Sequence, residues 1–193
     1  METATRYATT PARAAQPTAA APILGIDPGL QRTGYAVLAA PAGVETCRLI
    51  EAGVVRLDRG QRIEQRLLEL EHGLDELISS HHPAILACEQ LYAHYKHPRT
   101  AIVMAHARGV ILALAARRGL SILNVEATRV KKFLTGSGRA SKAQVQRAIM
   151  VALGLPQIPE PHDVADALAV ALCGLHLRAA GVHDSNGAKG DAR

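Results

Sequence analysis

A chain of 193 residues is long enough to close one hydrophobic core and short for two, and it carries a net charge of +5. Its composition is 48% hydrophobic with no Trp, one Phe and four Tyr, so aliphatic side chains must build the core. No uninterrupted run of about 18 apolar residues crosses a membrane and no secretory segment precedes the first strand, while Cys47, Cys88 and Cys173 stand too far apart for a disulfide framework or a C-x-x-C site and are expected to be reduced and buried, as in a cytoplasmic protein.

Residues 1–21, rich in Ala, Thr and Pro, are read as a disordered leader in preference to a transit peptide, residues 22–180 as one folded domain, and 181–193 as a disordered tail. Ile23 to Asp27, Gly34 to Ala39, and a run from Val44 to Leu57 interrupted by Gly53 predict three strands of an antiparallel meander. The period then changes: Ile63, Leu67, Leu70, Leu74 and Leu77 place a helix over 61–79. Ala84 to Cys88 reads as a buried strand ending at Glu89. Thr100 to Arg118 reads as a helix apolar nearly all round, either central or at a subunit interface. Ser121 to Val125 is the last strand, followed by helices near 127–134, 141–153 and 163–178. The expected fold class is α/β with a mixed sheet.

Charge is unevenly spread along this plan. Between Lys96 and Arg147 stand eleven Lys or Arg and one acid, Glu126, so one stretch holds the positive field. Singly, residues such as Arg117 and Arg118 are solvated helix surface. Together the excess favours a polyanionic partner, because released counterions drive such binding.

The acids are placed differently. Asp27 ends the first strand in Ile-Leu-Gly-Ile-Asp-Pro-Gly and Glu89 ends the fourth in Ala-Ile-Leu-Ala-Cys-Glu-Gln, at strand ends where α/β sheets gather ligands. Asp163 and Asp166, three apart at the start of the last helix, share one face about 4.5 Å apart along the axis. Each has a plainer reading: Asp27 as a turn acid, Asp163 as a helix N-cap, Asp166 as a charge at the positive end of a helix dipole. As a set, four clustered carboxylates repel unless a cation compensates, and hard oxygen donors suit Mg²⁺ or Mn²⁺ rather than zinc. Two such ions held by Asp27, Glu89, Asp163 and Asp166 would serve phosphodiester hydrolysis.

Five motifs give the chain a family likeness: Gly-Ile-Asp-Pro-Gly-Leu-Gln-Arg-Thr-Gly-Tyr-Ala from Gly25, Cys-Glu-Gln-Leu-Tyr from Cys88, Ala-Arg-Gly-Val from Ala107, Arg-Val-Lys-Lys from Arg129 and Asp-Val-Ala-Asp-Ala-Leu-Ala from Asp163. In this order, from about Ile23 to Arg178, they resemble the RuvC family of bacterial Holliday junction resolvases. The first motif alone is less specific, since actin-like ATPases also open with such a turn. The resemblance implies an RNase H-like α/β fold, a five-stranded mixed β-sheet flanked by α-helices. It also implies a homodimer that nicks four-way DNA junctions symmetrically with two Mg²⁺ or Mn²⁺ ions per active site. The family's four acidic positions fall on Asp27, Glu89, Asp163 and Asp166, its mouth aromatic on Tyr92, and its two basic positions on Lys131 and Lys142. Lys132, Arg129 and Arg139 would hold the DNA backbone beside them. The branch-migration proteins RuvA and RuvB are implied partners.

Other readings compete at several points. An actin-like phosphotransferase would use the Asp27 turn to cradle ATP, but needs a second phosphate loop and more chain. A non-cleaving module gripping junctions or structured RNA would keep the fold without needing all four acids. Gly136-Ser137-Gly138 is read as a flexible hinge carrying the lysines. His81, His82, His94, His97, His106 and His162 fit no zinc spacing, and His162 alone adjoins the carboxylates, where it would help position water.

Overall fold

The structure, a computed structural model, describes residues 21–40, 47–91 and 98–181. Strands β1 (Ile23–Asp27), β2 (Arg32–Ala39) and β3 (Arg48–Arg56) form the antiparallel meander. After helix α1 (Ile63–His81), strand β4 (Ile85–Glu89) returns parallel to β1. Helix α2 (Pro98–Arg117) then leads to β5 (Ser121–Val125), parallel to β4, and α3 (Ala127–Thr135), α4 (Lys142–Ala152) and α5 (His162–Ala179) complete the fold. The sheet order is β3-β2-β1-β4-β5, the mixed five-stranded sheet that was expected.

Side chains alternate across the sheet with period two. Leu24, Ile26, Tyr35, Val37, Leu86 and Cys88 face α1 and α2, which add Leu70, Leu74, Ile111 and Leu114 to that core. Ile23, Ala36, Leu38 and Ala87 face the other way, into a core built by α5 with α3 and α4. Strand parity therefore places Asp27 and Glu89, which continue the Ile23 and Ala87 rows, on the α5 side. By the same count Gly34 and Arg32 continue the Ala36 row onto that face.

Helix α5 is the central one, buried on all sides from Val164 to Leu175 apart from Asp166. Its approach to the sheet is unusually close. A Cβ on Gly25 would lie 2.5 Å from the Ala171 Cβ, and one on Gly34 would lie 1.9 Å from the Asp163 carbonyl oxygen. Only glycine fits beneath the helix at these two points.

Most element boundaries agree with the sequence pattern to within two residues, and three readings are revised. Gly53 does not interrupt β3, because the Tyr35 ring across the strand pair occupies the space its side chain would fill; the start of that predicted run, 44–46, lies outside the described residues. Of the two places expected for helix α2, central or at a subunit interface, the first is removed: Ala107, Ile111, Leu114 and Ala115 bury one face, and Ile102, Ala105, Gly109, Ala113 and Ala116 are exposed. Its Thr100–Arg117 stretch is long and apolar enough, by length and composition, to cross a membrane, yet its inner face packs on the sheet and its Arg108 and Arg117 bond to Asn124 and Glu71. The Gly136–Gly138 link is a tied turn and no loose hinge. Gly136 caps α3 in the left-handed region at φ 76, Thr135 Oγ1 bonds the Lys131 carbonyl at 2.8 Å, and the Ala140 N–H donates to the Ser137 carbonyl at 3.2 Å.

Gly34→Ala should lower stability by about 1–3 kcal/mol, the usual penalty of overpacking, and urea denaturation measures it. A midpoint unchanged from wild type would show that α5 lifts from the sheet without strain.

Candidate active site

Four carboxylates meet at one end of the sheet. Asp27 and Glu89 stand one residue beyond the Ile26–Cys88 pair of the parallel β1–β4 ladder, at the same strand ends and on the same face. Asp163 and Asp166 lie on the first turn and a half of α5. The N-cap of that helix is Pro161, which places Asp163 inside the helix and overturns its reading as the cap.

The electrostatics record their closeness. Burial, then the charges of Glu89, Asp166 and Asp163, push the Asp27 carboxyl up to about 8. Glu89 is also raised, first by burial and then by Asp166, while Lys131 and Lys142 act against the rise. The carboxylates nonetheless do not close on a common point: among the described residues, no three His, Cys, Asp or Glu side chains form a ready metal cage. Two of the four are turned toward cations at opposite flanks. Lys142 Nζ lies 3.0 Å from Asp166 Oδ2, and Arg32 Nε lies 3.5 Å from Asp163 Oδ2.

The donor set fits divalent metal on chemical grounds. All four are hard oxygen donors, and a buried Asp27 surrounded by three like charges is the group whose ionised form a divalent cation would restore. A cleft of about 210 Å³ beside them is lined by Glu89, Lys131, Lys142, Asp166 and the apolar side chains Val130, Val145 and Val170.

Of the other expected contacts, Lys131 and Lys142 are on the cleft. Lys132, Arg129 and Arg139 are exposed outside it, and Arg129 lies near Cys173. Tyr92 lies outside the described residues, as do His94 and His97. His162 is exposed and hydrogen-bonded to Gln146 through Nδ1 at 2.9 Å. His106 bonds the Ile102 carbonyl, His81 pairs with Glu51, and His176 stacks on Phe133. Cys47, Cys88 and Cys173 are free, and burial raises all three thiols, Cys88 to about 12.

Two arginines escaped the sequence reading. Arg32 is the first; its five-residue distance from Asp27 hides the register that returns it to the same face. Arg108 is the second. Its Nε donates to the Glu89 carbonyl at 3.1 Å and its Nη2 to Asn124, which ties the end of β4 to α2 and β5. An arginine on an otherwise apolar helix was the available signal.

With this geometry in place, comparison with known proteins is decisive. Residues 23–174 match the family model of crossover junction endodeoxyribonuclease RuvC. The RuvC of Rhodopirellula baltica is 50% identical over 163 residues, which cover 84% of this chain and 90% of that one. The chain belongs to the RuvC family. Among other RuvC sequences, that of Caldicellulosiruptor saccharolyticus is 41% identical over 78% of the chain and 90% of its own length. Among solved structures, T. thermophilus RuvC in complex with Holliday junction substrate superposes with a TM-score of 0.78 at 27% identity, covering 85% of this chain and 99% of that one. The yeast mitochondrial resolvase Ydc2 shares the fold, with a TM-score of 0.61 at 15% identity over 82% of this chain and 79% of its own.

Asp27 also sets a pH dependence in chelator. The folded protein holds its proton to about pH 8 and an ordinary aspartate releases it near 3.8, so between these values the unfolded state binds fewer protons. Stability should therefore fall as pH rises from about 4 to about 8, with a shallower fall in Asp27→Asn. Denaturant unfolding at a series of pH values checks this, and equal slopes would count against a strained Asp27.

Proposed function

We propose that this protein is a structure-selective DNA endonuclease that resolves four-way junctions by paired symmetric nicks in recombination and repair. The observation that carries the proposal is the meeting of Asp27, Glu89, Asp163 and Asp166 beside Lys131 and Lys142 on a RuvC fold. The nuclease domain in this reading spans residues 22–180, acts in the cytoplasm, and works with RuvA and RuvB by family likeness.

The four acids would hold two Mg²⁺ ions, with Mn²⁺ as the alternative. Bound there, the ions supply an activated water and charge stabilisation for the leaving oxygen. The chain's own groups do the rest. Asp27 and Glu89 are fixed by the sheet, and Arg108 holds the Glu89 backbone. Lys131, which lines the cleft with Glu89, is set to offset charge developing on the scissile phosphate. Arg129, Lys132 and Arg139 add positive field along the approach. Tyr92 follows β4 by three residues and is proposed to stack on an opened base.

Paired cuts need two sites, and a homodimer supplies them. The support is the outer face of α2, where Ile102 is 57% exposed beside Ala105, Gly109, Ala113 and Ala116. Small residues on that face let a second helix approach closely.

The direct test is cleavage of a four-way junction against linear duplex, with and without Mg²⁺. Asp27→Asn and Asp166→Asn should bind the junction without cutting it; full cutting by either would remove the basis for the metal assignment. Lys131→Ala should cut roughly 100-fold more slowly with little change in thermal midpoint. For the dimer, Gly109→Glu should sediment as a monomer. If it remains dimeric, another surface forms the contact.

A further inference from the structure

A third cation, Arg32, stands at the acidic site beside Lys131 and Lys142. Arg32 opens β2, and its backbone pairs with Arg56 across the sheet edge. The neighbouring Thr33 is fully buried, and its hydroxyl bonds both the N–H and the carbonyl of Gly29, closing the turn that follows Asp27. That closed turn fixes the direction in which Arg32 leaves the sheet. Gly34, two residues on, opposes Asp27 in the β1–β2 ladder, so Arg32 emerges on the Asp27 face beyond the last strand pair. There its Nε meets Asp163 Oδ2 at 3.5 Å, with the Arg32 side chain half exposed and the Asp163 side chain 25% exposed.

The other flank repeats the arrangement. Lys142 holds Asp166 Oδ2 at 3.0 Å. Each cation thus engages an oxygen of a residue assigned as a metal ligand, and a carboxylate oxygen has limited lone pairs in a given direction. A partly exposed pair of this kind is weak, because solvent screens it and ordering two side chains opposes it. It can yield to a divalent ion and still bias the equilibrium.

We infer that Arg32 is a positioning residue of this site: it competes with divalent metal for Asp163, and once that carboxylate turns to the metal its guanidinium is free to bind a backbone phosphate of the entering DNA strand. The inference rests on the nuclease reading for the identity of the ligands and adds a role for a residue outside the four acids and two lysines. Its consequence is an exchange of partners in which metal loading makes a phosphate contact available. Arginine suits the task, since its planar fork pairs with carboxylate and phosphate alike.

The test uses the full chain as wild type, Arg32→Gln and Arg32→Lys. Mn²⁺ titrated calorimetrically without DNA should bind Arg32→Gln roughly two- to fivefold more tightly than wild type, the size of a partly exposed ion pair, with Arg32→Lys between them. Junction affinity is then measured against KCl concentration, once in Ca²⁺ and once in EDTA. In Ca²⁺, Arg32→Gln should lose about one unit of the log–log salt slope; in EDTA it should keep the wild-type slope. Equal Mn²⁺ affinity in wild type and Arg32→Gln overturns the inference, as does an equal loss of slope in both media, which marks a permanent surface contact. Failure of the wild type itself to bind Mn²⁺ sinks the metal reading instead. Thermal midpoints of the three proteins exclude a folding defect as the cause of any difference.

Discussion

Helix α5 lies on the sheet at a distance set by the absence of two side chains. Gly25 and Gly34 leave room for the Ala167–Ala171 ridge and for the backbone at Asp163, and a methyl group at either would meet atoms at less than 3 Å. Close packing of this kind is stiff, because neighbours in a dense core have nowhere to go. The same contact that buries the apolar length of α5 therefore delivers its first turns to the ends of β1 and β4. Without that depth the helical acids would stand clear of the strand acids, and the chain would carry two unrelated pairs of carboxylates.

The electrostatic balance of the site follows from this placement. Asp27 takes most of the strain, since it is buried and feels all three other acids. Lys131 and Lys142 oppose the charge from α3 and α4, and Arg32 opposes it from the start of β2. Arg108 acts by another route, gripping the peptide carbonyl of Glu89 rather than its charge. Acids on rigid elements ringed by cations on separate elements give a site whose anionic wall is fixed and whose cationic rim comes from several directions.

Much of this was legible in the residues because two signals are local. Period-two and period-3.6 patterns mark the elements, and an acid closing an apolar strand asks for a partner wherever the strand goes. What escaped was decided by register and packing. Gly53 looks like a strand break until Tyr35 is seen across the ladder filling its place. Arg32 looks like a turn residue until strand parity returns it to the Asp27 face. The breadth of the exposed face on α2 is invisible in a segment whose residues are apolar on every side, and α5, equally apolar, proved to be the helix the core closes around. Glycines at 136 and 138 signal freedom, yet Thr135 and Ser137 use their hydroxyls to remove it.

That last turn bears on how a ligand must behave. Lys131 sits on α3, Lys142 begins α4 behind the reciprocal Ser141–Gln144 cap, and the bonds through Thr135, Ser137 and Ala140 leave the segment between them little slack. Their spacing is a property of folded backbone rather than of a loop that adapts. Under the proposed nuclease reading, a nucleic acid has to bring its phosphates to these two lysines, and the work of bending falls on the polymer. Stiff, fully stacked duplex meets that demand poorly, whereas strands parting at a crossover meet it at small elastic expense.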